Sequence, residues 1–315
     1  MKDCTISKYS TEALKIIDDF LPEKLFDAHM HISHLNTASC SYTTFQNYYD
    51  DIKVYSKNRI VRCNGIVFPE AQLKNPAEMD NSVKFVCSQL DKYTDNVAEI
   101  MVLATDTVAD IEKRLVHKNI RGLKCYCIYA KRPDNMYANI EEYLPEAAWV
   151  VANEKKLAIT LHLVKDEALS HPNNLNYIIK MAKKYPDAIL ILAHAARAFA
   201  AWTVFDVVDK LVPYENVWFD FSAICESPAM LYILKKIGAK RCMWGTDYPI
   251  CLFDGKAVSI ADKFHWIPAA DLNFNTWNIM TEGFMAMRQT AILADLNKSQ
   301  IEDIFYNNAN KLFFR

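Results

Sequence analysis

The feature that most constrains the fold of this 315-residue chain is a regular alternation of short apolar runs with amphipathic segments. Eight of the runs have the length and composition of buried strands, and most are separated by segments with helical apolar spacing. Strands joined by helices run parallel, and eight such units predict a closed α/β barrel, the (β/α)8 TIM barrel. The predicted strands are Leu25–Ile32, Asn64–Pro69, Ile100–Ala104, Ile120–Cys127, Leu157–Leu163, Ile189–His194, Val217–Ser222 and Arg241–Asp247.

The predicted helices lie between these strands and at the two ends of the chain. The clearest interstrand helices are Met79–Tyr93, Val108–His117, Asn174–Tyr185 and Ala229–Ile237. A further helix, Thr11–Phe20, precedes the first strand. Near the C-terminus, Ser299-Gln300-Ile301-Glu302 matches a capping box and predicts that Ser299 caps the final helix.

Two long connections interrupt the pattern. Residues 33–62 follow the first strand, and residues 250–280 follow the last strand. Long connections on a compact scaffold are often binding loops or lids, and a packed surface excursion is an equally good interpretation of both. The second connection carries the aromatic residues Phe253, Trp266, Phe274 and Trp277. No Pro/Gly/Ser-rich linker or change in composition divides the chain, so we predict one domain over residues 1–315.

Composition excludes several classes of function. The formal net charge is −2 and Lys and Arg form no long runs, so no nucleic-acid partner is expected. No run approaches the ~18–20 apolar residues of a membrane span, and the N-terminus lacks a signal-peptide core. We therefore expect a cytoplasmic protein that acts on a small molecule. The nine cysteines are irregularly spaced and predict reduced thiols, with Cys125 and Cys127 packed in the core rather than binding zinc.

Two histidines close the first predicted strand, in Asp27-Ala28-His29-Met30-His31. Side chains at i and i+2 of a strand point to one face, so His29 and His31 can bind one divalent metal ion together. The same spacing predicts that Asp27 shares their face.

Further polar residues lie at the ends of later strands. Lys124 lies in the fourth strand, His162 and His194 end the fifth and sixth, and Asp247 ends the eighth. Barrels of this kind build their active sites at the C-terminal ends of the strands. A single histidine on an apolar run is usually a packed core residue, but this convergence reverses that expectation. The remaining histidines are treated as structural, with His34 and His265 as weaker site candidates in long loops.

With these motifs the chain resembles the amidohydrolase superfamily, specifically its amidohydrolase-2 branch, which includes decarboxylases and lactonases. The matching pieces follow the family's order along nearly the whole chain. They are Asp27-Ala28-His29-Met30-His31, Gly122-Leu123-Lys124, His162, Ala193-His194-Ala195-Ala196-Arg197, Trp244-Gly245-Thr246-Asp247-Tyr248-Pro249 and Asn308-Ala309-Asn310-Lys311-Leu312-Phe313.

The resemblance implies a metal site. The implied ligands are His29, His31, His162 and Asp247, with His194 as a second-sphere base or a ligand to a second metal. Zinc is the default ion, and manganese or iron also suits a shell completed by a carboxylate. An open position on such an ion would activate water, and Asp247 could serve as the general base.

The cationic residues leave alternatives open. Lys124 could be carbamylated and bridge two metals, could face the substrate as a cation, or could form a structural ion pair with Asp27; we favour the second. Arg197 with Lys124 could bind a substrate carboxylate, because a guanidinium binds carboxylates through two hydrogen bonds. Lys131 and Arg132 are interpreted as solvated.

The favoured function is therefore a metal-dependent hydrolase that attacks the carbonyl of an amide, lactone or ester of a small, carboxylate-bearing substrate. The alternative is a metal-dependent non-oxidative decarboxylase of an aromatic or unsaturated acid. A third reading, a barrel that binds without turnover, conflicts with the complete set of ligands. Many barrels of this kind form homodimers, but nothing in the sequence sets the oligomeric state.

Overall fold

The computed structural model describes residues 8–38, 41–273 and 276–315. Eight strands form one parallel sheet in chain order, each paired with the next. They are β1 (Lys24–Ile32), β2 (Ile60–Val67), β3 (Val97–Met101), β4 (Ile120–Cys125), β5 (Ala158–Leu161), β6 (Ile189–Leu192), β7 (Val217–Asp220) and β8 (Cys242–Met243).

The sheet closes on itself between the chain after β8 and β1. The backbone N–H of Ala28 donates to the carbonyl of Trp244 at 3.0 Å, and that of His31 donates to the carbonyl of Tyr248 at 2.7 Å. Asp247 donates in the reverse direction to the carbonyl of His29, also at 2.7 Å. The predicted (β/α)8 TIM barrel is therefore confirmed, and its closing seam directly joins His29 and His31 to the segment that carries Asp247.

Helices surround the barrel and cover its ends. They are α1 (Lys8–Phe20), α2 (Phe45–Ser56), α3 (Pro76–Lys92), α4 (Val108–Arg114), α5 (Glu146–Lys155), α6 (Pro172–Lys184), α7 (Ala193–Arg197), α8 (Ser227–Ile237), α9 (Ile279–Leu293), α10 (Lys298–Glu302) and α11 (Asn308–Phe313). In the part of the chain that the structure describes, no helix is long and apolar enough to cross a bilayer.

Several helices begin earlier than the apolar spacing predicts, because caps rather than apolar residues set their starts. Asn75 caps α3 by accepting the backbone N–H of Ala77 at 2.9 Å, and Pro76 occupies the first turn. His171 and Pro172 begin α6 in the same way. Proline suits the first turn, where its missing N–H has no helical partner.

The predicted cap of the final helix is wrong by two residues. Asn297, not Ser299, is the N-cap of α10, and its side chain accepts the backbone N–H of Gln300 at 3.0 Å. The side-chain oxygen of Gln300 in turn accepts the backbone N–H of Asn297 at 3.0 Å, which completes a capping box.

The two long connections contain secondary structure of their own. Residues 33–62 contain α2, which begins after the N-cap Thr44. Within residues 250–280, β9 (Gly255–Ile260) and β10 (Lys263–Pro268) form an antiparallel hairpin. Of the aromatic residues predicted there, Phe274 lies outside the described residues.

A bulge in β1 changes which face Asp27 occupies. Asp27 pairs with Cys63 and Met30 pairs with Gly65, so β1 uses one residue more than β2 over this stretch. Phe26, ahead of the bulge, and Ala28, within it, pack into an apolar cluster with residues of β3, β5, β6 and β8. The alternation of faces shifts at the bulge, so that His29 and His31, rather than Met30, continue the side that faces the barrel interior.

The expectation that Asp27 shares a face with His29 and His31 is therefore wrong. Its carboxylate is held instead by Thr246, from the backbone N–H at 3.0 Å and the hydroxyl at 2.5 Å, and by the backbone N–H of His29 at 3.0 Å. A structural ion pair between Asp27 and Lys124 is likewise not formed.

The described cysteines are all free thiols. Cys125 and Cys127 are both buried in the apolar cluster outside the barrel, as the interpretation that they pack in the core requires. Cys127 lies beyond the end of β4, in a short 3-10 turn, so the two thiols do not share a strand.

Candidate metal centre

The residues predicted to form a site lie together at the C-terminal rim of the barrel. His29 and His31 lie near the C-terminal end of β1, and Lys124 is the penultimate residue of β4. His162 directly follows β5, while His194 lies in α7 immediately after β6. Asp247, four residues past β8, lies on the closing seam.

Three of these side chains converge closely. The Nε2 atoms of His31 and His29 lie 3.2 Å and 3.6 Å from Oδ1 of Asp247. Ligand atoms of these three residues all lie within 4.8 Å of one another, and all three side chains are buried. His29 Nε2 has no hydrogen-bond partner among the described residues. A buried ring nitrogen without a partner is costly, and a metal ion is one group that would satisfy it.

The opposite nitrogens of both rings are anchored. His29 Nδ1 lies 3.0 Å from Oδ2 of Asp220, and His31 Nδ1 lies 3.3 Å from the carbonyl of Ile66. A carbonyl and an ionised carboxylate only accept hydrogen bonds, so we infer that each Nδ1 carries the hydrogen. Each Nε2 then presents a lone pair toward Asp247, as in metal sites whose histidines are oriented by outer carboxylates or carbonyls.

Burial sets the charge of the imidazoles. Burial, together with the nearby charge of Lys124, lowers the pKa of His29 to about 4. Burial also lowers the pKa values of His31 and His162. Metal ligands must be neutral imidazoles, and these rings are neutral at pH 7.

Asp247 is the negatively charged member of the group. Burial alone would raise its pKa, but His194, His31 and His29 hold the pKa of this carboxyl well below its usual value. The group therefore combines two neutral nitrogen donors with one carboxylate. Such a mixed set suits zinc and other divalent first-row metals, so the residues present fit the ion that the resemblance implies.

His162 reaches the rim but does not join this three-residue group. Its ring centroid lies 5.1 Å from that of His194 and 4.9 Å from that of Tyr126. Its Nδ1 has no partner in the part of the chain that the structure describes. His194 lies between His162 and His29, with its ring centroid 5.0 Å from that of His29.

Lys124 is a buried lysine beside this group. It is 1% exposed, and no hydrogen bond or ion pair to its ammonium is found within the described ranges. Burial lowers its pKa, while Glu99, Asp220 and Asp247 favour its charged form. The charged groups that surround Lys124 are therefore the buried carboxylates of this rim, and its neighbours include the imidazole of His29.

The contacts of the other predicted cations are with residues outside the group. Arg197 donates to the carbonyl of Lys165 at 2.9 Å, and its guanidinium lies 5.2 Å from the ring centroid of Phe264 on the hairpin. Lys131 and Arg132 are exposed, and Arg132 contacts Glu142 at 3.2 Å, so their interpretation as solvated residues is consistent with the structure.

The segment α7, which presents His194, is a left-handed turn rather than a right-handed α-helix. His194, Ala195, Ala196 and Arg197 have φ values of 55°, 53°, 62° and 59°. Asp247 also has a positive φ, of 63°. Such conformations are unfavourable for residues with a Cβ and concentrate at functional sites, where the surrounding structure enforces them.

Aromatic side chains extend from His194 to the surface. The Phe199 ring stacks on His194 with centroids 5.6 Å apart, and contacts Phe264 at 4.8 Å and Trp266 at 5.4 Å. The hairpin β9–β10 thus packs against the mouth of the barrel and forms one wall of it.

Sequence reasoning missed two kinds of site residue. Asp220 is the last residue of β7, and Ser222 lies two residues later. The search for polar residues at the C-terminal ends of strands, which found His162, could therefore have found both. Glu99 is fully buried in β3, but the predicted third strand began one residue after it.

Comparisons with known proteins agree with this fold. A sequence model described as amidohydrolase matches residues 61–315. No curated protein is similar enough in sequence to count as a match.

Solved structures with the same fold include both decarboxylases and a hydrolase. The 5-carboxyvanillate decarboxylase of Sphingomonas paucimobilis is 10% identical, with a TM-score of 0.59 over 93% of this chain and 99% of that one. The manganese-bound 5-carboxyvanillate decarboxylase of Novosphingobium aromaticivorans is 11% identical, with a TM-score of 0.62 over 93% and 97%. The probable 2-pyrone-4,6-dicarboxylic acid hydrolase of Acinetobacter baumannii is 13% identical, with a TM-score of 0.58 over 93% and 100%.

Proposed function

The chain belongs to the amidohydrolase family, and from that premise we propose that it is a metal-dependent hydrolase of a small, carboxylate-bearing ester, lactone or amide. One observation carries the proposal. Three buried ligand atoms, from His29, His31 and Asp247, converge at the barrel rim, and one of them has no protein partner. A divalent ion held there would polarise a carbonyl and acidify a water molecule.

The protein side chains would then handle protons. Asp247 is ionised, and a carboxylate at the edge of the ligand group can accept the proton that the attacking water loses. His194 lies between His29 and His162, within reach of a substrate bound over the three ligands. His162 contributes a further imidazole on the same side, as a fourth ligand or as a substrate contact.

Two cations would select the substrate. Lys124 is a buried ammonium without a partner among the described residues, and burying an unpaired charge is unfavourable unless a ligand compensates it. A substrate carboxylate would do so. Arg197 lies at the same mouth under the hairpin and can provide a second, outer contact.

Zinc is the default metal for two imidazoles and a carboxylate, and manganese is the principal alternative. Manganese is the ion named for the Novosphingobium decarboxylase and for a dihydroxybenzoic acid decarboxylase of Polaromonas that shares the fold.

The second candidate function is a non-oxidative decarboxylase of an aromatic or unsaturated acid. The observation that favours it is the aromatic wall of Phe199, Phe264 and Trp266 beside His194, which suits a flat substrate. Lys124 would bind the reacting carboxylate in this case.

One assay separates the two candidates. The purified protein, loaded with zinc or with manganese, is incubated with lactones, esters, amides and aromatic acids in water enriched in oxygen-18. Hydrolysis transfers one heavy oxygen to the product acid, whereas decarboxylation releases carbon dioxide and leaves the organic product unlabelled. We expect oxygen-18 uptake that depends on the metal. Carbon dioxide release without uptake would overturn the hydrolase in favour of the decarboxylase.

A further inference from the structure

We propose that Asp220 is a positioning residue that fixes the hydrogen positions of two site histidines, His29 directly and His194 through Ser222. The proposal rests on the metal-dependent function above and adds to it the direction in which His194 exchanges protons. Neither Asp220 nor Ser222 belongs to the motifs that relate the chain to its family.

The direct contact orients a metal-ligand candidate. Oδ2 of Asp220 lies 3.0 Å from Nδ1 of His29, and both residues are fully buried. The other oxygen, Oδ1, accepts the backbone N–H groups of His194 at 3.2 Å and of Ser222 at 3.0 Å, and hydrogen-bond donors placed around both oxygens favour the ionised carboxylate. An ionised carboxylate only accepts, so the hydrogen of His29 lies on Nδ1 and its Nε2 keeps a lone pair.

The second contact runs through the Ser222 hydroxyl. This hydroxyl donates a short hydrogen bond to Oδ1 of Asp220. A hydroxyl has one hydrogen to donate, so Oγ must act as an acceptor in its 2.9 Å contact with Nδ1 of His194. The carbonyl of Ser222, which can only accept, lies 3.1 Å from the same nitrogen.

Both partners of His194 Nδ1 therefore require a hydrogen on that atom. The backbone around it is fixed by the same carboxylate, since Oδ1 of Asp220 also accepts the N–H of His194 at 3.2 Å and that of Ser222 at 3.0 Å. The Nε2 atom of His194 is left with a lone pair. In its neutral form His194 is then a proton acceptor, not the donor that would protonate a leaving group at the start of the reaction.

The alternative is that His29, His194 and Asp220 bind a second metal, because their ligand atoms are close enough to do so. The hydrogen-bond pattern argues against it. The two Nδ1 atoms and both carboxylate oxygens are already engaged with each other or with Ser222. A second ion would have to displace these hydrogens.

The test is nuclear magnetic resonance of the metal-free protein with nitrogen-15 in its histidines. Long-range proton–nitrogen correlations report which ring nitrogen carries the hydrogen. We expect the Nδ1–H form at both His29 and His194 in the wild type. Asp220→Asn, whose amide can donate toward Nδ1, is expected to change both histidines. Ser222→Ala is expected to change the signals of His194 most. Its effect on His29 should be smaller, because Oγ of Ser222 lies 3.3 Å from Nδ1 of His29 but the closer contact between Asp220 and His29 remains.

A metal competition titration gives a second readout on the same proteins. Asp220→Asn is expected to weaken binding by roughly 10–100-fold, as the loss of an outer-shell partner usually does, whereas Ser222→Ala retains nearly wild-type affinity. Circular dichroism reports whether each variant folds. If Asp220→Asn does not fold, the wild-type spectrum and Ser222→Ala still decide the matter.

Three results would overturn the positioning role. The first is a hydrogen on Nε2 of His29 or His194 in the wild type. The second is an Asp220→Asn variant with unchanged spectra and metal affinity. The third is two bound ions per chain, one of which is lost in Asp220→Asn. The spectra need neither metal nor substrate, so a protein with the expected tautomers but no metal-dependent turnover would contradict the proposed function alone.

Discussion

Beneath the candidate metal centre, Glu99 is a carboxyl group in an environment that disfavours its charge. Its Oε1 accepts hydrogen bonds from the Asn64 amide and the Thr160 hydroxyl, both at 2.8 Å. Its Oε2 has no partner among the described residues. Burial, only partly offset by these bonds and by the charge of Lys124, raises the pKa of Glu99 to about 7.

This raised pKa predicts a pH dependence of stability. Between about pH 4.5, the value for an unfolded glutamate, and about pH 7, the folded protein keeps a proton that the unfolded chain releases. The contribution of Glu99 to the free energy of unfolding is therefore complete below about pH 4.5 and is lost as the pH rises toward 7. Replacing Glu99 by Gln removes this dependence, because the amide stays neutral.

We expect Glu99→Gln to be more favourable, relative to wild type, at pH 8 than at pH 5, by on the order of 2–3 kcal/mol. Urea unfolding at the two pH values measures this difference. Glu154→Gln, at an exposed position of α5, is the matched control and should show little change. A Glu99→Gln effect of equal size at both pH values would show that the carboxyl does not titrate in this range.

At the scale of single elements, the start of α10 allows a test of which residue caps this helix. Asn297 makes the side-chain bond to the backbone of Gln300, and the Ser299 that the sequence pattern favours is an exposed residue inside the helix. Asn297→Ala is expected to lower the free energy of unfolding by about 1 kcal/mol, whereas Ser299→Ala should leave it nearly unchanged. Denaturant titration of both variants measures the contrast, and the reverse order would restore Ser299 as the cap.

The closing seam of the barrel makes a second prediction at this scale. A Cβ at Gly245 would lie 2.9 Å from Cβ of His29 and 3.2 Å from Cβ of Ser222. Gly245→Ala must therefore displace β1 or β7 at the candidate site. We expect it to lower stability by about 1–3 kcal/mol and to weaken metal binding.

Gly283 offers a matched control in α9. A Cβ there meets only the carbonyl of Ile224, at an ordinary contact distance of 3.6 Å. Gly283→Ala should stabilise the helix by about 0.5–1 kcal/mol and leave metal affinity unchanged. Equal effects of the two substitutions on metal binding would mean that the close approach at Gly245 does not position His29.

It was easier to predict from the sequence whether a segment is a strand or a helix than to predict which side of that element each residue faces. Apolar spacing is a property of each segment, so strands such as Ile189–Leu192 and helices such as Val108–Arg114 could be located within a few residues. The bulge in β1 is a property of its pairing with β2. No signal within Asp27–His31 alone reveals that Asp27 turns away from the two histidines.

At the scale of the whole molecule, the barrel joins residues that are about two hundred positions apart in the sequence. His29 and Asp247 meet because β1 pairs with the segment after β8, and Asp220 reaches His29 from β7 across the interior. The rule that active sites form at the C-terminal ends of strands selected His29, His31 and Asp247 in the sequence, and these three side chains lie together in the structure. It did not show that His162 stands apart from the closest group, because that separation depends on ring orientations that only the packed barrel determines.

The most direct test of the account is the number of divalent metal ions per chain, measured by elemental analysis of wild type, His29→Ala and Asp247→Asn. His117→Ala is the control, since His117 lies just before β4 at the opposite end of the barrel, 3.4 Å from Asp91. We predict about one ion per chain in the wild type and the control, and loss of most of it in both site variants, with the fold retained. A wild type that binds no metal after reconstitution, or site variants that retain a full complement, would contradict the metal centre of His29, His31 and Asp247.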